Sequence, residues 1–296
     1  NVRLLVGDDS REMTHARVSP DGQWLTFTRY NNKNWRGRAE EESGYMETEI
    51  LLARSDGTGL QVAVPPVKDA LNANSSWLPD GSGIIYVSTD NPERKPTLMQ
   101  FTLADKKKTR LPTPPHLLVS DPHIVNDRLV FPSIDPVGKV DVLWTMRIDG
   151  ADARQLTRPL VPPDAKTDKF HLGDYDPRLS PQGDRVAFMR MMPDGHWHSV
   201  VLDLRSGVEL DLTSGRSGHD ATPEWSSRGD ALVLWHIDTE DHKEMGVYRV
   251  NPDGTDRRMV PLPRGFLHSH PGFFPNGNGK MPERIIYSAK RFDGLP

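Results

Sequence analysis

The chain has 296 residues, and its 37 Lys and Arg against 41 Asp and Glu give a formal net charge of −4. A small negative net charge gives no reason to expect nucleic acid or an anionic membrane as a partner, since both require a clustered basic surface. No apolar stretch approaches the roughly 20 residues that span a bilayer. The absence of cysteine excludes disulfides, thiolate metal sites and thiol nucleophiles.

The first predicted strand, Val2 to Val6, comes before the first complete hairpin, which starts at His15. The segment RVSPDGQWLTFTRY, from Arg17 to Tyr30, then combines a Pro-Asp-Gly turn with an alternating apolar run. Proline presets φ and glycine accepts conformations that other residues avoid, so the turn predicts a hairpin between two strands. The alternation of β-branched and aromatic residues predicts a half-buried strand.

This pattern returns five times along the chain. The later copies start at Ser75, Asp121, Pro177, Pro223 and Pro271, and the copy from Asp121 is the least similar. Anchored on turns at positions 20, 79, 126, 181, 227 and 275, the copies are spaced by 59, 47, 55, 46 and 48 residues. Periods of this length are typical of propellers and repeat arrays.

A third alternating run and a short fourth run follow the hairpin in most copies, for example TEILLARSDGTG and LQVAV in the first copy. Each copy thus supplies about four short antiparallel strands, which is the unit of a propeller blade. No helical periodicity competes with this pattern. The sequence therefore predicts an all-β, six-bladed β-propeller that forms a single domain over residues 1–296.

The two ends of the chain bear on how such a ring closes. Because an amino-terminal strand commonly completes the last blade of a closed propeller, we expect Val2 to Val6 to pair with the blade of Pro271 to Lys290. That blade is short of a strand, since only RFDGLP follows RIIYSAK. Either the natural chain continues past Pro296 or the blade has three strands, and we expect continuation.

The copies resemble a known repeat. ARVSPDGQWLTF and PEWSSRGDALVLW are similar to the TolB-type, or PD40 (WD40-like), propeller repeat, whose core is roughly P-x-W-S-P-D-G-x-x-I-x-F. The resemblance extends over nearly the whole chain. It implies a binding or scaffold module for a protein partner, a larger complex or a small ligand at the channel mouth, in the periplasm or another exported location.

Six equivalent polar positions precede the inner strands, which line the channel of a propeller. They are His15, Asn74, Asp121, Asp176, Thr222 and His270. In one interpretation these side chains cap strands and bind backbone or water in a narrow, wet channel, as buried polar groups must. In the other, imidazoles and a carboxylate converge on a divalent metal, for which both are suitable ligands.

The second interpretation rests on a further resemblance, to the oligogalacturonate lyases, which are built on a similar propeller. It implies a metal-dependent enzyme that acts on a carbohydrate, with a divalent metal in the central channel. His15, His219 and His270 are then the candidate ligands, and His171 or His268 the candidate general base, since the ordinary pKa of histidine is about 6.5. The sequence leaves the binding module and the enzyme open.

Two other histidine groups have metal-like spacing. His196 and His198, and His236 and His242, follow predicted second strands, and we expect them to lie at the surface in outward loops. No Gly-x-Ser-x-Gly elbow, phosphate loop or His-Glu-x-x-His motif occurs, so serine hydrolase, nucleotide-binding and zincin functions have no support.

Overall fold

The computed structural model describes residues 2–7, 11–30, 47–135, 140–159, 173–193, 195–237, 245–275 and 284–291. These residues form strands and turns and contain no helix. Among them there is accordingly no helix that is long and apolar enough to cross a membrane. By its internal contacts the chain divides into two compact units. The first contains Arg3–Ser133 and Thr145–Arg154, and the second contains Ile134–Trp144 and Gln155–Pro296. The single-domain interpretation stays a prediction.

The first unit contains two four-stranded antiparallel sheets, with their strands in chain order. One sheet consists of β1 (Met13–Val18), β2 (Trp24–Tyr30), β3 (Thr48–Arg54) and β4 (Gln61–Val64). The other consists of β5 (Asn72–Trp77), β6 (Gly83–Ser88), β7 (Thr97–Thr102) and β8 (Lys108–Arg110). A buried cluster that includes Ile50, Leu52, Trp77 and Tyr86 packs between them.

A third group of strands supplies residues to both units. It consists of β9 (His123–Val125), β10 (Arg128–Asp135), β11 (Val140–Arg147) and β12 (Arg154–Gln155). The pairing of β9 with β10 is antiparallel, as the hairpin pattern predicted. The strands β9 and β12 are short, which agrees with the weak similarity of this copy.

The second unit contains two more groups of four antiparallel strands and a final pair. The first group is β13 (Gly173–Leu179), β14 (Arg185–Met191), β15 (Trp197–Asp203) and β16 (Glu209–Asp211). The second is β17 (His219–Trp225), β18 (Leu232–Ile237), β19 (Gly246–Val250) and β20 (Arg258–Met259). A buried cluster that includes Ala187, Val201, Leu234 and Tyr248 packs between these groups. The final pair is β21 (Phe266–Phe273) and β22 (Ile285–Arg291).

The repeated turn forms as its sequence predicts. In the first copy Gly22 has a φ of 71°, and the Asp21 carboxylate accepts a hydrogen bond of 3.0 Å from the Gln23 amide. The serine before the turn also stabilises it, because Ser19 Oγ accepts a hydrogen bond of 2.9 Å from the Trp24 amide, which follows the turn. Ser226 plays the same part in a later copy, accepting from the Ala231 amide at 3.2 Å.

One glycine allows β13 to pair with the part of β11 that belongs to the second unit. β13 pairs in parallel with β11 through Gly173 and Asp141. Gly173 has a φ of 134°, and a Cβ at this position would lie 2.2 Å from the Asp141 carbonyl oxygen. No residue with a side chain fits there.

The prediction for the amino-terminal segment needs a correction. The structure assigns no strand to Val2–Val6, although the sequence predicted one. Arg3 instead donates a hydrogen bond of 2.8 Å to the Asp56 carbonyl oxygen, and a Cβ on Gly57 would lie 2.1 Å from the Leu5 carbonyl oxygen. Within the described part of the chain, β22 pairs with β21, so closure by the amino-terminal segment stays a prediction.

Candidate functional site

The six polar positions found in the sequence share one backbone conformation. Each has a positive φ: 56° at His15, 55° at Asn74, 34° at Asp121, 48° at Asp176, 49° at Thr222 and 48° at His270. In five copies the strand register shifts at this residue, as it does between Thr14 and Arg17. The position is therefore a β-bulge with a left-handed residue, and the six residues are equivalent within their copies.

This conformation gives a structural reason for the polar residues. Asn, Asp and His accept the left-handed region far more readily than β-branched or bulky residues do. Thr222 is the exception, because it is β-branched and its buried Oγ1 has no hydrogen-bond partner within the described ranges. Every copy therefore needs a residue that tolerates a positive φ at the bulge. The backbone conformation is the same in all six copies, whereas the side chain differs between them.

The imidazoles among these positions make local hydrogen bonds. His15 Nδ1 lies 2.8 Å from Thr14 Oγ1, and His270 Nδ1 lies 3.1 Å from Ser269 Oγ. The third candidate ligand, His219, lies outside the six positions. Its Nδ1 accepts a hydrogen bond of 3.1 Å from the Trp197 amide, which places the ring proton of the neutral form on Nε2. Metal binding through Nε2 of His219 would therefore require loss of that proton or rotation of the ring.

Among the residues that the structure describes, no group of three or more His, Asp or Glu side chains is arranged to hold a metal ion. The candidate general base His171 lies outside the described residues. The metal site and the base stay predictions, and so does the placement of the six bulge residues at a channel mouth.

A second set of polar residues lies two positions before the bulge, and of these the sequence predicted a role for His268 alone. Asp220 is fully buried and accepts hydrogen bonds from His236 Nδ1 at 2.7 Å, from Thr213 Oγ1 at 3.0 Å and from both terminal nitrogens of Arg257 at 2.7 and 2.8 Å. Burial raises the pKa of Asp220, but the hydrogen bonds from His236 and Arg257 outweigh it, and the pKa lies below its ordinary value.

Asp174 has the same place in β13. It is fully buried and binds Arg190 Nε at 2.6 Å, while Arg190 Nη1 also binds Glu209 at 2.6 Å. In the first unit the buried Glu49 binds Arg29 at 2.6 Å. Each of these buried carboxylates has an arginine partner, which indicates a structural role, because a buried charge without a partner is costly.

Two of the histidines predicted to lie in surface loops are in strands and largely buried, so that prediction was wrong for them. His198 lies in β15 and binds Asp211 at 2.7 Å, and His236 in β18 is only 4% exposed. Their signal in the sequence was the alternation itself, because His236 lies within the predicted second strand ALVLWHI and His198 begins the predicted third strand HSVVLDLRSG.

His268 lies in β21 two positions before its bulge, where β13 and β17 have Asp174 and Asp220. It is 7% exposed, and its Nε2 has no hydrogen-bond partner in the part of the chain that the structure describes. The ring makes an edge contact with Tyr287 at 5.1 Å between centroids. Burial lowers the pKa of His268, so the neutral form is favoured.

Groups of four antiparallel strands, repeated with the same turn and the same bulge, define an all-β protein of the β-propeller class. The comparison with solved structures shows which known folds the chain is similar to. Over 90% of this chain, TolB from Acinetobacter baumannii superposes with a TM-score of 0.63 at 15% identity, and the chain spans 58% of that protein's length. A protein assigned as TolB from Agrobacterium tumefaciens gives 0.59 at 17% identity, over 79% of this chain and 83% of that one.

The tricorn protease gives a TM-score of 0.57 at 13% identity, over 90% of this chain and 24% of that one. No protein-family model matches the sequence, and no curated protein does either. At these identities the likeness concerns the fold alone. The chain has a TolB-like β-propeller fold.

Proposed function

We propose that the chain is a six-bladed, closed propeller that acts as a binding module, with the six bulge residues as its contact positions for a protein partner or a small ligand. The observation that supports this is the combination of a constant backbone with variable side chains at those positions. A bulge re-aims the side chain of its residue and is frequent beside functional sites. The TolB-like fold is consistent with protein binding and with an exported location.

Site-specific photo-crosslinking tests the proposal. A photoreactive amino acid replaces Asn74 or Asp176 at the bulges, and Val208 serves as the control because it is 63% exposed in the loop that leads into the outer strand β16. We expect discrete adducts, identified by mass spectrometry, from the bulge positions and none from position 208. Adducts confined to position 208, or no adduct from either bulge, would overturn the proposal.

Elemental mass spectrometry separates this function from the metal-dependent enzyme. The protein is dialysed without chelator beside a His15→Ala/His270→Ala variant, with His116→Ala as a control at an exposed histidine. Stoichiometric metal that is lost in the double variant alone would favour the enzyme and call for assays on acidic oligosaccharides. Equal and negligible metal in all three proteins is the result that the binding module predicts.

A further inference from the structure

The polar residue two positions before the bulge ties its strand to the preceding strands in three places. In the second unit the Asp220 carboxylate accepts from Thr213 Oγ1, and the Asp220 carbonyl accepts from Ser199 Oγ at 3.2 Å. Thr213 follows β16 and Ser199 lies in β15, so β17 is held to the β13–β16 group by two hydroxyls.

The other two contacts use different chemistry at the same place. Asn72 in the first unit donates from its amide to the Pro65 carbonyl at 3.3 Å and accepts from Ser88 Oγ at 2.8 Å. Asp174 binds Arg190 and is hydrogen-bonded by Thr157. Met13 and Val119 occupy the position in the remaining two copies, and as apolar side chains they need no partner.

His268 is the polar residue of this set that lacks such a contact among the described residues. Register assigns its expected partners: His268 pairs with Ala289 as Asp220 pairs with His236. The Leu212 amide donates to the Ser199 carbonyl, and in the next copy the Val260 amide donates to the Val247 carbonyl in the same way. Because Thr213 follows Leu212 and Pro261 follows Val260, Pro261 is the equivalent of Thr213. Neither alanine nor proline offers a side-chain hydrogen bond, and His268 Nε2 is left unsatisfied.

A second unsatisfied group faces the same boundary. Leu234 of β18 packs into the cluster shared with β14 and β15, and side chains alternate along a strand, so Trp235 lies on the opposite face. That face is the one turned to β21, which packs against β17, β18 and β19. Trp235 Nε1 is buried, and no described residue forms a hydrogen bond with it. Each such group destabilises the boundary relative to a group that has its hydrogen bond.

The boundary between β21 and the β17–β20 sheet therefore contains two buried polar groups that have no hydrogen-bond partner among the described residues. Native proteins open locally where packing and hydrogen bonding are weakest.

We propose that the β21–β22 sheet is a detachable element, which separates from the β17–β20 sheet within the native state far more often than β17–β20 separates from β13–β16. The missing polar contact at His268 is its cause. Opening uncovers the Trp235 face of β18, while the contacts of Asp220 keep β17 in place.

Hydrogen exchange read by mass spectrometry at one fixed, near-neutral pH tests this on the full chain. We expect amides of β21 and β22 to exchange at least about tenfold faster than those of β17 and β18. The variant His268→Met, which copies Met13 of the first copy, removes the unsatisfied nitrogen and should slow exchange in β21–β22 about tenfold. As a matched control, Thr213→Val breaks the equivalent contact and should speed exchange in β17.

Equal protection of β21–β22 and β17–β18 in the unmodified protein would overturn the proposal without any variant. Exchange in β21–β22 that is unchanged by His268→Met, in a variant whose circular dichroism matches the parent, would also overturn it. If that variant does not fold, the comparison of the two sheets in the unmodified protein still decides.

Discussion

The indole Nε1 of Trp225 donates a hydrogen bond of 2.9 Å to the backbone carbonyl of Arg178, in the neighbouring copy of the repeat. Trp77 does the same in the first unit, with the Arg17 carbonyl at 3.1 Å. In both pairs the tryptophan stands two residues before the turn and the acceptor three residues before the preceding turn. The repeated motif therefore encodes a contact between copies as well as a turn within each.

Replacing Trp225 with phenylalanine tests the energy of this contact. The ring volume is largely kept, but the buried Arg178 carbonyl loses its donor, and we expect the free energy of unfolding to fall by about 1 to 3 kcal/mol. Urea unfolding followed by fluorescence or circular dichroism gives the value. Trp77→Phe should have a similar effect, and a loss near zero in both variants would contradict the shared role.

Asp220 should make stability depend on acid pH. Its pKa in the folded chain lies below the ordinary value of about 3.9 because His236 and Arg257 stabilise the carboxylate against the cost of burial. The stabilisation is therefore complete above about pH 4 and is lost as the pH falls through the lower, folded-state pKa.

The variant Asp220→Asn should lose about 3 to 5 kcal/mol at pH 7, since it leaves Arg257 buried without its partner. The difference from the parent should shrink as the pH falls below about 4, which unfolding curves at several pH values would show. Asp127→Asn is the control, because Asp127 pairs with Arg147 at the surface and should contribute less than about 1 kcal/mol. A pH-independent difference for Asp220→Asn would refute the linkage.

Thr222 is strained, and relieving the strain should stabilise the fold. The variant Thr222→Asn places a residue that tolerates a φ of 49° at the bulge and removes a β-branched side chain. We expect a gain of about 1 kcal/mol in the free energy of unfolding, measured by thermal or urea denaturation. The reciprocal change, Asn74→Thr, should cost a similar amount, and the idea fails if the two changes have the same sign.

Gly173 should tolerate no side chain. In Gly173→Ala the new Cβ would overlap the Asp141 carbonyl oxygen, and we expect a loss of more than about 2 kcal/mol and weaker pairing of β13 with β11. Gly207→Ala is the matched control, because its φ is 73° and no atom lies within 4 Å of the added Cβ. It should cost only about 1 kcal/mol from backbone strain. Similar losses in both variants would contradict the steric explanation.

Much of the architecture could be predicted because its signals are local. The turns at Pro20 and Pro79, the hairpins that follow them and the TolB-like fold all follow from runs of fewer than about 20 residues. The equivalence of the six polar positions was found by counting back from the turn, since the distance from turn to bulge is fixed within one hairpin. The strand assigned to Val2–Val6 failed, because a short apolar run does not itself specify a pairing partner.

The sequence by itself determined the repeat, its turns, the all-β class and the positions that vary between copies, because each depends on neighbours in the chain. Only the tertiary structure decided that those polar residues sit on left-handed bulges, that Asp220 binds His236 and Arg257, and that His268 Nε2 finds no hydrogen bond among the described residues. These facts depend on which strands meet across many residues. Burial and hydrogen bonding across such contacts, and not local conformational preference, decide whether a polar side chain is satisfied.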